Sequence, residues 1–411
     1  MHPVKGSPGK LHSTEDALIS SATHCFSSKG FSATSIQDIA SHAGVAKGNV
    51  YHYFSSKDDV LRLIINRVLD DLLPAIDAIP YEQLTPVEQL RAFMGEAVDL
   101  VGRNRAGVAI FVQERRRMSE PSFAEVLARS QGMPERLSAL LDRGIHQGAF
   151  RPLASTRGMA LGLLGMATWA YQWYEPGGLS LAEVARMYSD IAVDGVTAGG
   201  SVPPFPSVTV APPPPPVAHA APSTRDALIR AALDLFVAQG YDNTSISNLS
   251  ERAGVTTGAF YSQFSSKDEI LRHIDNHFLD RLLASFSGIF EQNLSASETL
   301  ARLLAETVGP NGDHQDERAI FLNEWRFYNT DSFVDVRAKS TQYLDGFVTA
   351  LEMGKREGVF RAVPAARLVA AGLVGLCSFP FQWTGRGGEV EPGTTQMYAE
   401  VVLGGLRNRT G

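Results

Sequence analysis

TSIQDIASHAGVAKGNVYHYFSSK, residues 34–57, is the stretch that decides how this chain folds. Ser35 with Asp38 three positions on is a variant of the capping box, so a short helix starts there. Ile36, Ile39, Ala40 and Ala43 give that helix an apolar face. Gly44 then supplies a residue that tolerates a left-handed turn, and Val45 plugs the corner. A third helix is expected from about Lys47 to Phe54, with Val50 and Phe54 turned inward. Lys47, Asn49, His52 and Tyr53 are left on the outside, a polar and aromatic face narrow enough for a DNA major groove. Upstream, Leu18, Ala22 and Phe26 recur every four residues between Thr14 and Lys29, the stripe of an amphipathic helix that Gly30 ends. Downstream, Ser56 and Asp59 open a longer helix whose apolar positions include Val60, Leu61, Ile64, Ile65, Val68, Leu69 and Leu72.

The same stretch returns as TSISNLSERAGVTTGAFYSQFSSK at residues 244–267, an offset of 210. That offset also carries Phe111 onto Phe321, Gly148 onto Gly358, Phe150 onto Phe360 and Trp173 onto Trp383. One register held over so many landmarks is a tandem duplication. Copy one covers residues 1–198 and copy two residues 223–411. Within them the expected domains are a helix-turn-helix at 1–57 and at 223–267, and a helical domain at 58–198 and at 268–411. The intervening residues 199–222 contain no charge and include the run Pro212 to Pro216, the composition of a semi-rigid polyproline spacer extending about 3.1 Å per residue. Ser266 with Glu269 matches the capping box more closely than Ser56 with Asp59 does.

With 411 residues, 44% hydrophobic and 20% charged, the chain has material for at least two cores and the balance of a soluble, folded protein. The net charge of -7 argues mildly against a nucleic-acid partner. Its distribution qualifies that argument, because residues 1–57 carry +2 and the rest of the chain −9. The equivalent residues 223–267 of copy two are neutral. Cys25 and Cys377 stand in apolar helical stretches without metal-ligand spacing and read as buried free thiols. No signal-peptide pattern opens the chain, and the most apolar stretch, Met159 to Tyr174, is shorter than a bilayer span, so a cytoplasmic protein is expected, with no membrane partner.

The run Thr34 to Ala40, then Ala43-Gly44-Val45, Gly48, Tyr51, Phe54 and Lys57, resembles the DNA-binding signature of the TetR/AcrR family. Copy two matches it through Thr244 to Ile246, Ala253-Gly254-Val255, Gly258, Tyr261, Phe264 and Lys267. The resemblance implies an all-α fold of two units, each a three-helix helix-turn-helix domain followed by a helical ligand-binding and dimerisation domain. It implies backbone-phosphate contacts at Thr34, Tyr51 and Lys57, and base or nearby phosphate contacts at Lys47, Asn49, His52 and Tyr53. In copy two the corresponding positions are Thr244, Tyr261 and Lys267, with Thr257, Ser262 and Gln263 on the reading face and Ala259 in place of Asn49. Copy two either reads a different half-site or binds DNA more loosely.

Beyond residue 80 the chain alternates amphipathic stretches with Gly and Pro breaks and shows no period-two segment, which predicts helices throughout. In the family the last two helices of each unit pair with those of a second unit in a four-helix bundle. Here the candidates are Arg157 to Tyr174 with Ser180 to Thr197, and Ala365 to Thr384 with Thr394 to Arg407. Gly158, Gly162 and Gly165, two of them echoed by Gly372 and Gly375, would let such helices approach closely. The duplication therefore suggests an intrachain pseudo-dimer, with a homo-oligomer of tandem chains left open. Phe111, Met118, Phe123, Trp169 and Trp173 in copy one, with Phe321, Trp325, Tyr328 and Trp383 in copy two, are candidates to line an apolar effector cavity, against a plain reading as core. Glu114 and Glu324 are the polar groups among them, against a plain reading as solvated surface, and Arg115-Arg116-Arg117 reads as a solvated face. Trp173-Tyr174 followed by Gly177-Gly178 also resembles lipid- and acyl-thioester-sensing family members.

These readings favour a DNA-binding transcription regulator, a repressor released by a small apolar or amphipathic ligand, whose two unlike recognition helices read an asymmetric operator about one duplex turn long between half-sites. The alternative is a ligand-binding or protein-interaction module in which one or both helix-turn-helix units no longer read DNA. No nucleophile elbow, zinc-protease or phosphate-loop motif suggests an enzyme, and no cofactor is expected.

Overall fold

The computed structural model describes residues 8–173, 178–196, 223–309, 315–324, 330–383, 391 and 393–407. Copy one folds as α1 (Pro8–Lys29), α2 (Ile36–His42), α3 (Lys47–Val50), α4 (Lys57–Asp77), α5 (Pro86–Arg103), α6 (Arg105–Gln113), α7 (Ala124–His146), α8 (Thr156–Thr168), α9 (Ala170–Trp173) and α10 (Leu181–Val196). Copy two follows as α11 (Thr224–Gln239), α12 (Ile246–Arg252), α13 (Thr257–Tyr261), α14 (Lys267–Glu291), α15 (Ala296–Val308), α16 (Gln315–Asn323), α17 (Val334–Arg356), α18 (Ala366–Trp383) and α19 (Thr394–Leu406). Among the described residues the fold is all-α, with one isolated bridge between Phe360 and Arg407. No described helix is long and apolar enough to cross a membrane.

Compactness does not follow the copy boundary. One unit consists of residues 1–78 and 100–132, and the other of residues 79–99 and 133–411. The carboxy-terminal helices of copy one thus belong with the whole of copy two.

In the first unit, Leu18, Ala22 and Phe26 are all but fully buried, and Ile39, Ala40, Val50, Val60 and Leu61 close the core around them. The capping box forms as the spacing predicts: the Ser35 hydroxyl accepts from the Asp38 amide at 3.1 Å, and the Asp38 carboxylate accepts from the Ser35 amide at 2.8 Å. Gly44 turns left-handed at φ 69°. The Val45 amide then donates to Ala40 O at 3.0 Å, closing a Schellman motif. Gly254 repeats this at φ 69°. The third helix is shorter than expected. It ends at Val50 and continues as turns, with the Tyr53 amide on Val50 O at 3.0 Å. The expected box at Ser266 also differs in detail, because the Glu269 carboxylate accepts from the amide and hydroxyl of Ser265, each at 2.7 Å, rather than from the Ser266 amide.

In the second unit α8 packs on α18 and α10 on α19, a four-helix bundle drawn from both copies. Glycines set its spacing. A Cβ at Gly165 would stand 2.3 Å from Gly375 O, and one at Gly375 would stand 2.4 Å from Gly165 O. Gly195 and Gly405 repeat the arrangement, each facing a carbonyl oxygen, Val401 or Ile191, at 2.1 Å from such a Cβ. The hydrogen bonds share the symmetry: the Tyr188 hydroxyl donates to Leu368 O at 2.7 Å, and the Tyr398 hydroxyl donates to Gly158 O at 2.6 Å. Leu368 and Gly158, like the two tyrosines, are equivalent positions of the two copies. A pseudo-two-fold axis therefore runs through the bundle within one chain. Cys25 and Cys377 are buried free thiols, and burial raises the pKa of both.

Candidate nucleic-acid interface and effector cavity

The recognition face of copy one is open. Lys47, Asn49 and His52 are exposed, Tyr51 is 50% exposed, and Tyr53 is half-buried with its ring 6.3 Å from that of Phe54. A Cβ at Gly48 would meet nothing within 4 Å, so no packing inside the protein calls for a glycine in this helix. Copy two presents Thr257, Ser262 and Tyr261, the last 58% exposed. Its surface is more self-satisfied: the Ser262 hydroxyl donates to Ala259 O at 2.7 Å and Gln263 Nε2 donates to Ser262 Oγ at 3.3 Å. Arg225, over the Phe264 ring at 4.1 Å, donates to Gln263 O at 2.9 Å.

All four phosphate candidates carried by threonine and lysine are hydrogen-bonded within the fold. The Thr34 hydroxyl is buried, donating toward Gly30 O at 2.7 Å and Cys25 O at 3.1 Å. Lys57 Nζ donates to the carbonyls of Phe31, Ser32 and Thr34 at 2.6, 3.1 and 2.9 Å, a number of bonds equal to the protons of an ammonium. Lys267 does the same for Tyr241 and Thr244 at 2.6 and 2.8 Å, and the Thr244 hydroxyl, 1% exposed, donates to Gly240 O. These four side chains lock the turn that precedes α2 and α12, and Tyr51, Tyr261 and Lys47 are the candidates that stay exposed. Lys57→Ala is accordingly expected to lower stability by about 2 kcal/mol, through charge-assisted bonds lost from a half-buried group. The salt dependence of DNA binding should stay unchanged. Urea titration and binding measured over a salt series check this, and a slope reduced by about one unit would return Lys57 to a phosphate.

Two expectations for the carboxy-terminal segment need correction. Arg115 is not on a solvated face: it is 7% exposed, lies over Phe111 at 5.8 Å, and donates to Ser130 Oγ at 3.0 Å. Arg117 pairs with Asp58 at 2.7 Å and covers Phe31 at 4.6 Å. Both side chains have aromatic faces to lie on, and tripeptide composition alone does not reveal this. Glu114 and Glu324 are buried rather than solvated, and Glu324 Oε1 accepts from the Tyr241 amide at 3.4 Å. Glu324 thereby ties the end of α16 to the turn after α11.

Phe111, Met118 and Phe123 are buried core of the first unit. Trp169 and Phe321 line a cavity in copy two, together with Phe278, Thr307, Arg318 and Tyr343. Side chains nearly fill it. The space left, about 30 Å³ to water centres, holds a water or two. The side chains of Trp173, Trp325, Tyr328 and Trp383, and residues 174–177, lie outside the described residues. Sequence reading missed Arg318, Thr307 and Tyr343, where copy one has Val108, Ala97 and Met133. The signal was present as a charged residue at an apolar position of an otherwise repeated helix.

A family model for the amino-terminal domain of the tetR family of bacterial regulatory proteins matches residues 18–64 and 228–274. A model for the tetracyclin repressor-like C-terminal domain matches residues 83–196 and 293–406. The chain belongs to the TetR family. It is a DNA-binding transcriptional regulator built from two TetR units in tandem. Among curated relatives, the transcriptional repressor KstR2 of Mycolicibacterium smegmatis is 30% identical over 193 residues, 46% of this chain and 94% of the relative. KstR2 of Mycobacterium tuberculosis H37Rv is 29% identical over 195 residues, 47% of this chain and 97% of the relative. The solved structure of the ketosteroid transcriptional regulator KstR2 of Mycobacterium tuberculosis superposes with a TM-score of 0.42 at 28% identity, covering 44% of this chain and 94% of that one. Each relative is one TetR unit long, where this chain has two.

Proposed function

We propose that the chain is a cytoplasmic repressor in which one polypeptide does what a pair of TetR units does, reading a single asymmetric operator and leaving it when a small apolar or amphipathic effector binds. The observation that carries this reading is a bundle shared by two copies whose exposed recognition faces differ in chemistry. Lys47, Asn49, Tyr51, His52 and Tyr53 read one half-site, and Thr257, Tyr261, Ser262 and Gln263 meet the other with fewer charged groups. Repression follows the KstR2 relatives, whose names give that role. The cavity of copy two, wedged against α16, is the effector site, and the Glu324 contact to Tyr241 is the element through which a moved α16 would disturb the neighbouring helix-turn-helix. The test is the mass of the complex with a selected promoter fragment at low salt, where one chain per duplex is expected. A stoichiometry of two chains, or a shift with neither salt nor sequence dependence, defeats the reading.

The neutral balance of residues 223–267 and the internally bonded Ser262 favour one second reading, that copy two holds the bundle together and touches DNA only through its backbone. In that case the half-site under copy two tolerates any sequence.

A further inference from the structure

Among the described residues, Arg318 is a buried cation with no acidic partner. Only 5% of it is exposed, and its guanidinium lies 4.1 Å from the Phe381 ring centroid. Among the described residues it donates to the carbonyls of Thr307 and Gly309 at 3.1 Å and of Val308 at 3.5 Å, so it closes the carboxy-terminal end of α15. The partial negative charge of that helix end offsets part of its desolvation. A full charge buried this deeply ordinarily has a counter-ion. Burial moves its pKa down to about 10, which leaves it charged at neutral pH. Glu306, an acidic side chain that also lines the cavity, is half-buried.

The surroundings are those of an amphipathic guest. Thr307 and Tyr343, whose hydroxyls lie 3.2 Å apart, stand beside Arg318. Phe278, Phe321 and Trp169 supply the apolar wall, and Trp169 comes from copy one, so the site is complete only when the two copies pair. Copy one has no counterpart, since Val108 replaces the cation and Ala97 and Met133 replace the hydroxyls.

We infer that the cavity of copy two binds a carboxylate on an apolar body, one molecule per chain, with Arg318 taking the carboxylate and Trp169 and Phe321 the body. The inference rests on the ligand-released reading above and narrows it to one site and one head-group chemistry. A guest of that size fits only by parting the side chains, which are nearly in contact without it.

Octanoate and octanol, matched in chain length and differing in charge, are the probes, titrated calorimetrically into the full chain with operator release followed in parallel. Octanoate is expected to saturate at one per chain and to bind at least tenfold more tightly than octanol. Arg318→Gln should remove that preference, Arg318→Lys should retain part of it, and melting curves of both variants show whether each is folded. Octanoate that does not saturate, that fills two sites per chain, or that binds no better than octanol overturns the proposal, and the wild-type comparison decides this even if a variant fails to fold. Operator released equally by the alcohol would leave the ligand-released reading standing while removing the carboxylate.

Discussion

Gly405→Ala is expected to lower the stability of the second unit by about 3 kcal/mol or more. The added methyl would stand 2.1 Å from Ile191 O and 2.7 Å from its carbonyl carbon, and backbone cannot swing aside as a flexible side chain can. Relief requires α10 and α19 to separate, which costs the packing of Val196, Val401 and Val402 and strains the reciprocal Tyr188 and Tyr398 bonds. Gly195→Ala meets Val401 O at the same 2.1 Å and should behave alike, as the pseudo-two-fold axis demands. Gly288→Ala is the control: a Cβ there meets nothing within 4 Å, so removing a helical glycine should raise stability by about 0.5–1 kcal/mol. Chemical denaturation of the three variants checks the set. Because the paired helices belong to one chain, the midpoint should not depend on protein concentration, whereas a bundle exchanged between chains would become more stable as concentration rises.

How much of this could be read beforehand depended on the range of the interaction. The helix-turn-helix was legible because its determinants are local: Ser35 with Asp38, Gly44, and the spacing of Val50 and Phe54 are each fixed within a few residues. The bundle was legible for another reason, since Gly165 and Gly375 occur at one register in two copies and a repeated glycine in a helix asks for close approach. Charge was read least well. Lys57 and Arg117 are polar in any composition, but one is consumed by three carbonyls across a turn and the other by Asp58 and an aromatic face, contacts 23 to 86 residues away in sequence. The cavity was half legible. Trp169 and Phe321 were found by aromatic spacing, while Arg318 stood in plain view as a difference between the copies. Comparing copies for where they disagree, rather than where they agree, would have found it.

The same disagreement makes the DNA interface testable by exchange. Giving copy one the residues of copy two, Lys47→Thr with Asn49→Ala, is expected to weaken operator binding about 100-fold, from the loss of one base contact of about 1–3 kcal/mol and one phosphate neutralisation. The salt dependence should flatten by about one unit. The converse change, Thr257→Lys with Ala259→Asn, places the same groups on α13, where Thr257 is exposed and Ala259 half-buried, and should strengthen binding and shift preference toward an operator with two like half-sites. Neither exchange touches the core, because Val50 and Phe260 behind these faces are fully buried and unchanged. Binding measured across a salt series, on operators with each half-site scrambled in turn, separates the two copies. Two faces that tolerate exchange in both directions, with affinity and preference unmoved, would mean that neither helix reads DNA.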